Sequence, residues 1–210
     1  MDRCRPDRVA IMNDLRRGTI IDVNFDPVIG SETGKIRQGE CRPMSSPLSD
    51  SARRVQEFLA SKGFSFQVRE LAGSTRTSQE AADSVGCDVG QIAKSLVFRD
   101  KKSDRPVLVI ASGANRVDLK KIEAATGVKL GRADGNYVKA RVGYAIGGVP
   151  PAGHSEPLET FLDQDLKRYE TIWAAAGTPF ALFQLKPADL DPLTGGRWLD
   201  LAERSEPGGA

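Results

Sequence analysis

Two stretches of this sequence combine residue types that can do chemistry. The first is Gln91-Ile92-Ala93-Lys94-Ser95-Leu96-Val97-Phe98. It reads as a short polar helical turn running into a buried strand, with Lys94 at the junction. Pro106 to Ala111 supplies a neighbouring strand after a polar turn, Asp100 to Arg105. An ammonium at the mouth of such a strand must find an anion or carry a depressed pKa. The second stretch is Gly147-Gly148-Val149-Pro150-Pro151-Ala152-Gly153-His154. Backbone N–H groups at Gly147 and Gly148 can approach a ligand closely because no Cβ intervenes. Pro150 and Pro151 stiffen the loop and keep those donors aimed. Each stretch alone has a bland reading: a lysine whose head reaches water, and a loop that ends a helix. Together they pair Lys94, favoured as a fixed cation over a base of depressed pKa, with backbone donors.

Other residues stand near these two. Ser112 and Gly113 follow the second strand and could line the same pocket, although a Ser-Gly pair also suits a turn. His154 ends the loop and is a secondary candidate for contact with a ligand or a water. Arg116, Lys120, Lys121 and Lys139 are candidates for phosphate contacts, with solvated helix faces as the alternative. Cys87 has no base nearby in sequence and is read as packing.

Composition bounds the possibilities. The chain has 210 residues, 40% apolar and 28% charged, as in a soluble globular protein. No stretch is long and apolar enough for a membrane span or a signal peptide, so a cytoplasmic location is expected. Three cysteines without metal spacing suggest neither a disulfide framework nor a zinc site. A single histidine excludes a multi-histidine metal centre. No metal or cofactor is expected. A net charge of +2 neither demands nor forbids a nucleic-acid partner.

The elements that must position these residues follow in order. Ser49 or Asp50 caps a helix to about Lys62, with Gly63 behind it. Phe64, Phe66 and Val68 alternate as a strand. Thr77 and Glu80 form a capping box that opens a helix to Val85, ended by Gly86. Asp88 caps the turn that delivers Lys94. Helices are expected from Asp118 to Thr126 and from Asp134 to Val142. Strands are expected at Leu158–Leu162, Thr171–Ala174, Phe180–Leu185 and Arg197–Leu201, with a short helix from Pro187 to Leu193. Short helices mixed with irregularly spaced strands indicate an α+β domain. That domain is expected to span residues 45–205, between an N-terminal extension, 1–44, and a disordered tail, 206–210.

Several motifs carry a family resemblance. Thr75-Arg76-Thr77, Gly90 to Phe98, Ala111-Ser112-Gly113, Gly147 to His154 and Ala174 to Thr178 resemble the YbaK family of aminoacyl-tRNA deacylases, which are related to the editing insertion of bacterial prolyl-tRNA synthetases. The resemblance covers about Ser49 to Glu203. It implies a curled mixed sheet flanked by helices, and hydrolysis without metal of the ester between a wrong amino acid and tRNA. It implies a free-standing enzyme acting in trans on small amino acids such as Ala, Ser or Cys, on tRNAPro or a related tRNA. The implied partners are the aminoacyl-tRNA 3′ end and an aminoacyl-tRNA synthetase. Lys94 and Gly147 would then be catalytic. Gly148, Pro150, Pro151, His154, Ser112 and Gly113 would bind substrate. The alternative on the same fold is a non-catalytic module that binds tRNA or a synthetase. Separately, Arg16 to Arg37 resembles the opening of the MazF/PemK toxins, but one strand and a loop cannot bury a core. Fold and activity are therefore expected to survive deletion of residues 1–43. Assaying the truncated protein for stability and turnover checks this.

Overall fold

A computed structural model describes residues 48–204. The N-terminal extension with its toxin-like piece, and the tail at 206–210, lie outside the described residues. The remainder is one mixed sheet with helices packed against it. Strand order is β1 (Val68–Glu70), β7 (Ala181–Leu185), β6 (Ile172–Ala175), β2 (Ile92–Asp100), β3 (Pro106–Ser112), β5 (Glu159–Asp163), β8 (Arg197–Leu199), and β4 (Leu130–Arg132) pairs with β2 beside this path.

Helix α1, Asp50–Ser61, turns Val55 and Leu59 onto the sheet. Ser49 precedes it without a side-chain cap, and its N–H instead reaches the Glu70 carboxylate at 3.0 Å. The expected strand around Phe64 and Phe66 is shorter, because β1 is only Val68–Glu70. The Gln56 side chain donates to the Phe66 carbonyl and accepts from the Val68 N–H, each at 2.8 Å. This clamp ties the segment to α1 instead of to a neighbouring strand. Helix α2, Ser78–Val85, carries the expected Thr77/Glu80 capping box and ends at left-handed Gly86.

The strand bearing Lys94 starts earlier than the apolar run suggests. After a 3-10 turn, Val89–Gln91, β2 runs from Ile92 to Asp100. Lys94 is therefore its third residue. Pairing explains the extension: Ile92 and Ala93 face Trp173 and Ala174 of parallel β6, Ile172–Ala175. On its other side β2 pairs with antiparallel β3, Pro106–Ser112, from Ala93↔Ser112 to Arg99↔Pro106. Every residue of β3 is buried, as a central strand requires.

Helices α3, Leu119–Thr126, and α4, Gly135–Val142, begin at Asp118 and Asp134 and end at left-handed Gly127 and Gly143. Between them lies the unexpected β4, Leu130–Arg132, which pairs with Phe98–Asp100. Strands β5, Glu159–Asp163, β7, Ala181–Leu185, and β8, Arg197–Leu199, complete the sheet. A 3-10 turn at Gln164–Arg168 follows β5, and α5 is Leu190–Thr194. Three apolar clusters pack against the sheet: one holds Val55, Leu59, Ala93, Val149 and Phe183, a second Ile122, Phe161 and Leu201, and a third Ala82, Ile92 and Trp173. No helix among the described residues is long and apolar enough to cross a membrane.

Candidate active site

The turn that aims Lys94 is over-determined. The Asp88 carboxylate accepts from the Gly90 N–H at 2.6 Å, and Gln91 closes a reciprocal box by accepting from the Asp88 N–H at 3.0 Å. Gln91 also donates to the Thr171 carbonyl at 2.9 Å, which ties the turn to the start of β6. A Cβ on Gly90 would meet the Tyr169 hydroxyl at 1.9 Å.

Lys94 is half-buried, and its ammonium donates to two backbone carbonyls, those of Gly113 at 3.2 Å and of Asn115. An ammonium has three N–H donors, so one remains for a ligand. Burial pushes its pKa below the ordinary lysine value, and the charge of Asp163 partly restores it. The loop that supplies the two carbonyls is itself pinned by Asp163, which is fully buried. The Asp163 carboxylate accepts from the Ser112 N–H at 3.1 Å, the Asn115 side-chain amide at 2.8 Å and the Asp165 N–H at 3.0 Å. A strand-ending Asp before a turn carries no sequence signal of this role. Its partners Ser112 and Asn115 lie about fifty residues upstream.

The cavity beside Lys94 has a volume of about 270 Å³, and Lys94 and Gly147 both line it. A second cavity of about 200 Å³ adjoins it and shares Ser95, Leu96, Ile146, Gly147 and Val149. Strand pairing explains the opening. On one side β2 is paired with β6 only at Ile92 and Ala93, and with β4 only from Phe98 onward. Lys94 to Val97 have no strand neighbour there.

The glycine-proline loop divides into two residues that line the cavity, Gly147 and Val149, and several that build the loop. Gly147 adopts φ +86°, a left-handed conformation that side chains disfavour. Its N–H makes no hydrogen bond among the described residues. Gly148 differs from its expected donor role. Its N–H donates to the Ala145 carbonyl at 3.0 Å, and a Cβ there would lie 2.7 Å from the Thr178 backbone. Glycine is needed for that close approach. Pro150 and Pro151 are buried and outside the Lys94 cavity. His154 faces a separate cavity with Pro151 and Phe58. Its Nε2 donates to the Pro150 carbonyl at 2.9 Å, and burial holds the imidazole below its ordinary pKa, so it is neutral at pH 7. Tyr144 closes the loop by donating to the Gly153 carbonyl at 2.9 Å.

Ser112 and Gly113 stand behind Lys94, not in the cavity. The Ser112 hydroxyl donates to the Gly90 carbonyl at 2.7 Å, and a Cβ on Gly113 would lie 2.2 Å from the Val89 carbonyl oxygen. Cys87 packs as expected, and burial raises its pKa. Of the four basic candidates, Lys121 is engaged with Asp200 and the Ala202 carbonyl, and Arg116 pairs with Glu203 at 3.5 Å. Lys120 and Lys139 are exposed. None of the four lines either cavity. Two arginines do: Arg76 lines the first and Arg132 the second, both exposed and without a carboxylate partner among the described residues. The sequence signal for Arg76 was its place in the Thr75-Arg76-Thr77 motif. Arg132 had none.

Residues 72–193 match the aminoacyl-tRNA editing domain family. The chain belongs to that family. Among solved structures, one described as "a putative trans-editing enzyme for prolyl tRNA synthetase" is 50% identical with a TM-score of 0.71, over 75% of this chain and all of that one. The fold is thus the mixed-sheet editing fold. YwhH of Bacillus subtilis is 34% identical over 65% of this chain and 87% of its own length. EbsC of Enterococcus faecalis, described as a "putative Cys-tRNA(Pro)/Cys-tRNA(Cys) deacylase", is 29% identical over 61% of this chain and 78% of its own.

Proposed function

We propose that this protein is an aminoacyl-tRNA deacylase acting in trans, hydrolysing the ester of a small amino acid, such as Ala, Ser or Cys, on tRNAPro or a related tRNA. The observation that carries this reading is the meeting of Lys94 and Gly147 at one cavity in a chain of the editing family. The prolyl-tRNA synthetase association of the structural relative and the substrates in the name of EbsC support the choice of tRNA.

An aminoacyl ester is already activated, so stabilising the developing oxyanion matters more than a strong nucleophile. Water adds to the ester carbonyl. The remaining N–H of Lys94 and the N–H of Gly147 bear the negative charge. The intermediate then collapses, the ribose oxygen departs, and the water's proton passes to it. His154 takes no part, because its Nε2 is engaged with Pro150 and it lies outside the Lys94 cavity. Lys94 is better suited to a fixed cation than to a base, since two carbonyls and the charge of Asp163 favour its protonated form. Arg76 and Arg132 flank the opening and suit the phosphates of a tRNA 3′ end.

A panel of Ala-, Ser-, Cys- and Pro-tRNA, on matching and mismatching tRNAs, tests this. The small esters are expected to be hydrolysed and Pro-tRNAPro to be spared. Arg76→Ala and Arg132→Ala are each expected to weaken binding and reduce the slope of log affinity against log salt by roughly one. Tight tRNA binding without turnover of any ester would leave a binding module instead.

A further inference from the structure

The opening in the sheet has an unusual residue at its centre. The Ser95 hydroxyl is buried and is the one buried side-chain polar atom without a hydrogen-bond partner among the described residues. An orphaned buried hydroxyl is costly, and native structures retain few. Its setting offers no packing reason for it. Residues two apart on a strand share a face, so Ser95 lies with Ala93 and Val97, which belong to the apolar cluster that includes Val149. An alanine or valine would fill the site more stably.

The backbone at the same residue is also open. Ile92 accepts from the Gly113 N–H, and Lys101 donates to the Lys129 carbonyl across from β4. These two bonds fix the alternation along β2. Even-numbered residues turn their polar backbone groups toward β3. Odd-numbered residues turn theirs toward β6 and β4. Ser95 therefore aims its N–H and C=O into the stretch where β2 has no neighbour. Neither β6 nor β4 pairs with β2 at Ser95, and among the described residues no loop or turn bonds its backbone there. Two independent vacancies, one in a side chain and one in a strand edge, coincide at a residue that lines both cavities.

We propose that Ser95 sets substrate choice, its hydroxyl pairing with the hydroxyl or thiol of a seryl or cysteinyl ester and so favouring these over alanyl ester. This rests on the deacylase reading above. Neighbouring strand residues point to opposite faces, so Lys94 meets the ester carbonyl from one side while Ser95 meets the amino-acid side chain from the other. The open Ser95 carbonyl on the β2 edge suits the substrate's α-ammonium, which every ester shares. Only the side chain differs between esters, and the strand neighbours on the same face as Ser95, Ala93 and Val97, are apolar, so this hydroxyl is the polar group that β2 offers there. A polar group in such a place discriminates better than apolar fit, because the wrong ligand leaves it unpaired.

The test is Ser95→Ala, with deacylation of Ser-, Cys- and Ala-tRNA compared under single turnover. Wild-type protein is expected to prefer the seryl and cysteinyl esters by about tenfold or more. In the variant this preference should collapse, with alanyl hydrolysis retained. Removing an unpaired hydroxyl should also leave the melting temperature unchanged or raise it. An unchanged preference, an equal loss on all three esters, or a marked fall in melting temperature would each overturn the assignment. Inactivity of the wild type on every ester would instead sink the deacylase reading itself. Ser95→Thr, which keeps a hydroxyl, should retain the polar preference; its loss there with an intact fold would also count against the proposal.

Discussion

Lys94→Ala is expected to lower the rate of aminoacyl-tRNA hydrolysis by about 10²–10³-fold, the usual cost of losing one preorganised oxyanion donor. The fold should survive. The side chain enters a cavity, and the two carbonyls it leaves, on Gly113 and Asn115, sit on a loop with half-buried residues that water can reach. Single-turnover deacylation of a mischarged tRNA, paired with a thermal melt, separates activity from stability. Turnover near the wild-type rate would remove Lys94 from the reaction. Wild-type activity should also fall as pH rises through the Lys94 pKa, because the ammonium is the active form. Burial brings that limb to lower pH than an ordinary lysine would give.

Asp163→Asn should have the second-largest effect, on stability and on that alkaline limb. The carboxylate accepts from three donors, two of them backbone N–H groups of buried residues. An amide offers one oxygen and sets its own N–H₂ against donors. Each unsatisfied buried donor costs about 1–3 kcal/mol, so a loss on the order of 3 kcal/mol and a melting temperature lower by roughly 6–12 °C are expected. Asp163 is also the charge that raises the Lys94 pKa. Nearby Asp165 is already paired with Arg168 at 2.8 Å and Arg204 at 3.7 Å, so it compensates little. Without Asp163 the Lys94 pKa falls further, and the rate should decline at lower pH than in wild type. A purely structural role would lower the melting temperature without moving this limb. The two outcomes are told apart by the pH–rate profile of the protein that remains folded.

The parts of this architecture that were legible in sequence are those whose causes are local. Thr77 with Glu80, Asp118 with Gly127, and Asp134 with Gly143 mark helix ends within a few residues, and the helices run where those signals place them. What was illegible depends on distant pairing. Strand β4 is three residues long and exists because Arg99 lies opposite Gly131. Lys94 fell inside a strand because Trp173 and Ala174 extend it. Gly148 read as a donor, but only the approach of Thr178 reveals why it has no side chain. Asp163 gives no local sign that its carboxylate holds a loop fifty residues away. Ser95 looks like any polar strand residue until its missing partner is seen.

The contact between Gly148 and the Thr178 backbone limits how this scaffold can diversify over generations. No mutation at 148 can remodel the chamber without forcing two main chains apart. Heritable change in selectivity is channelled elsewhere, to Ser95, Leu96 and the largely exposed Ile146, 60% accessible, which border both hollows without such a contact between main chains. A lineage could retune its target through these three while the glycine stays put.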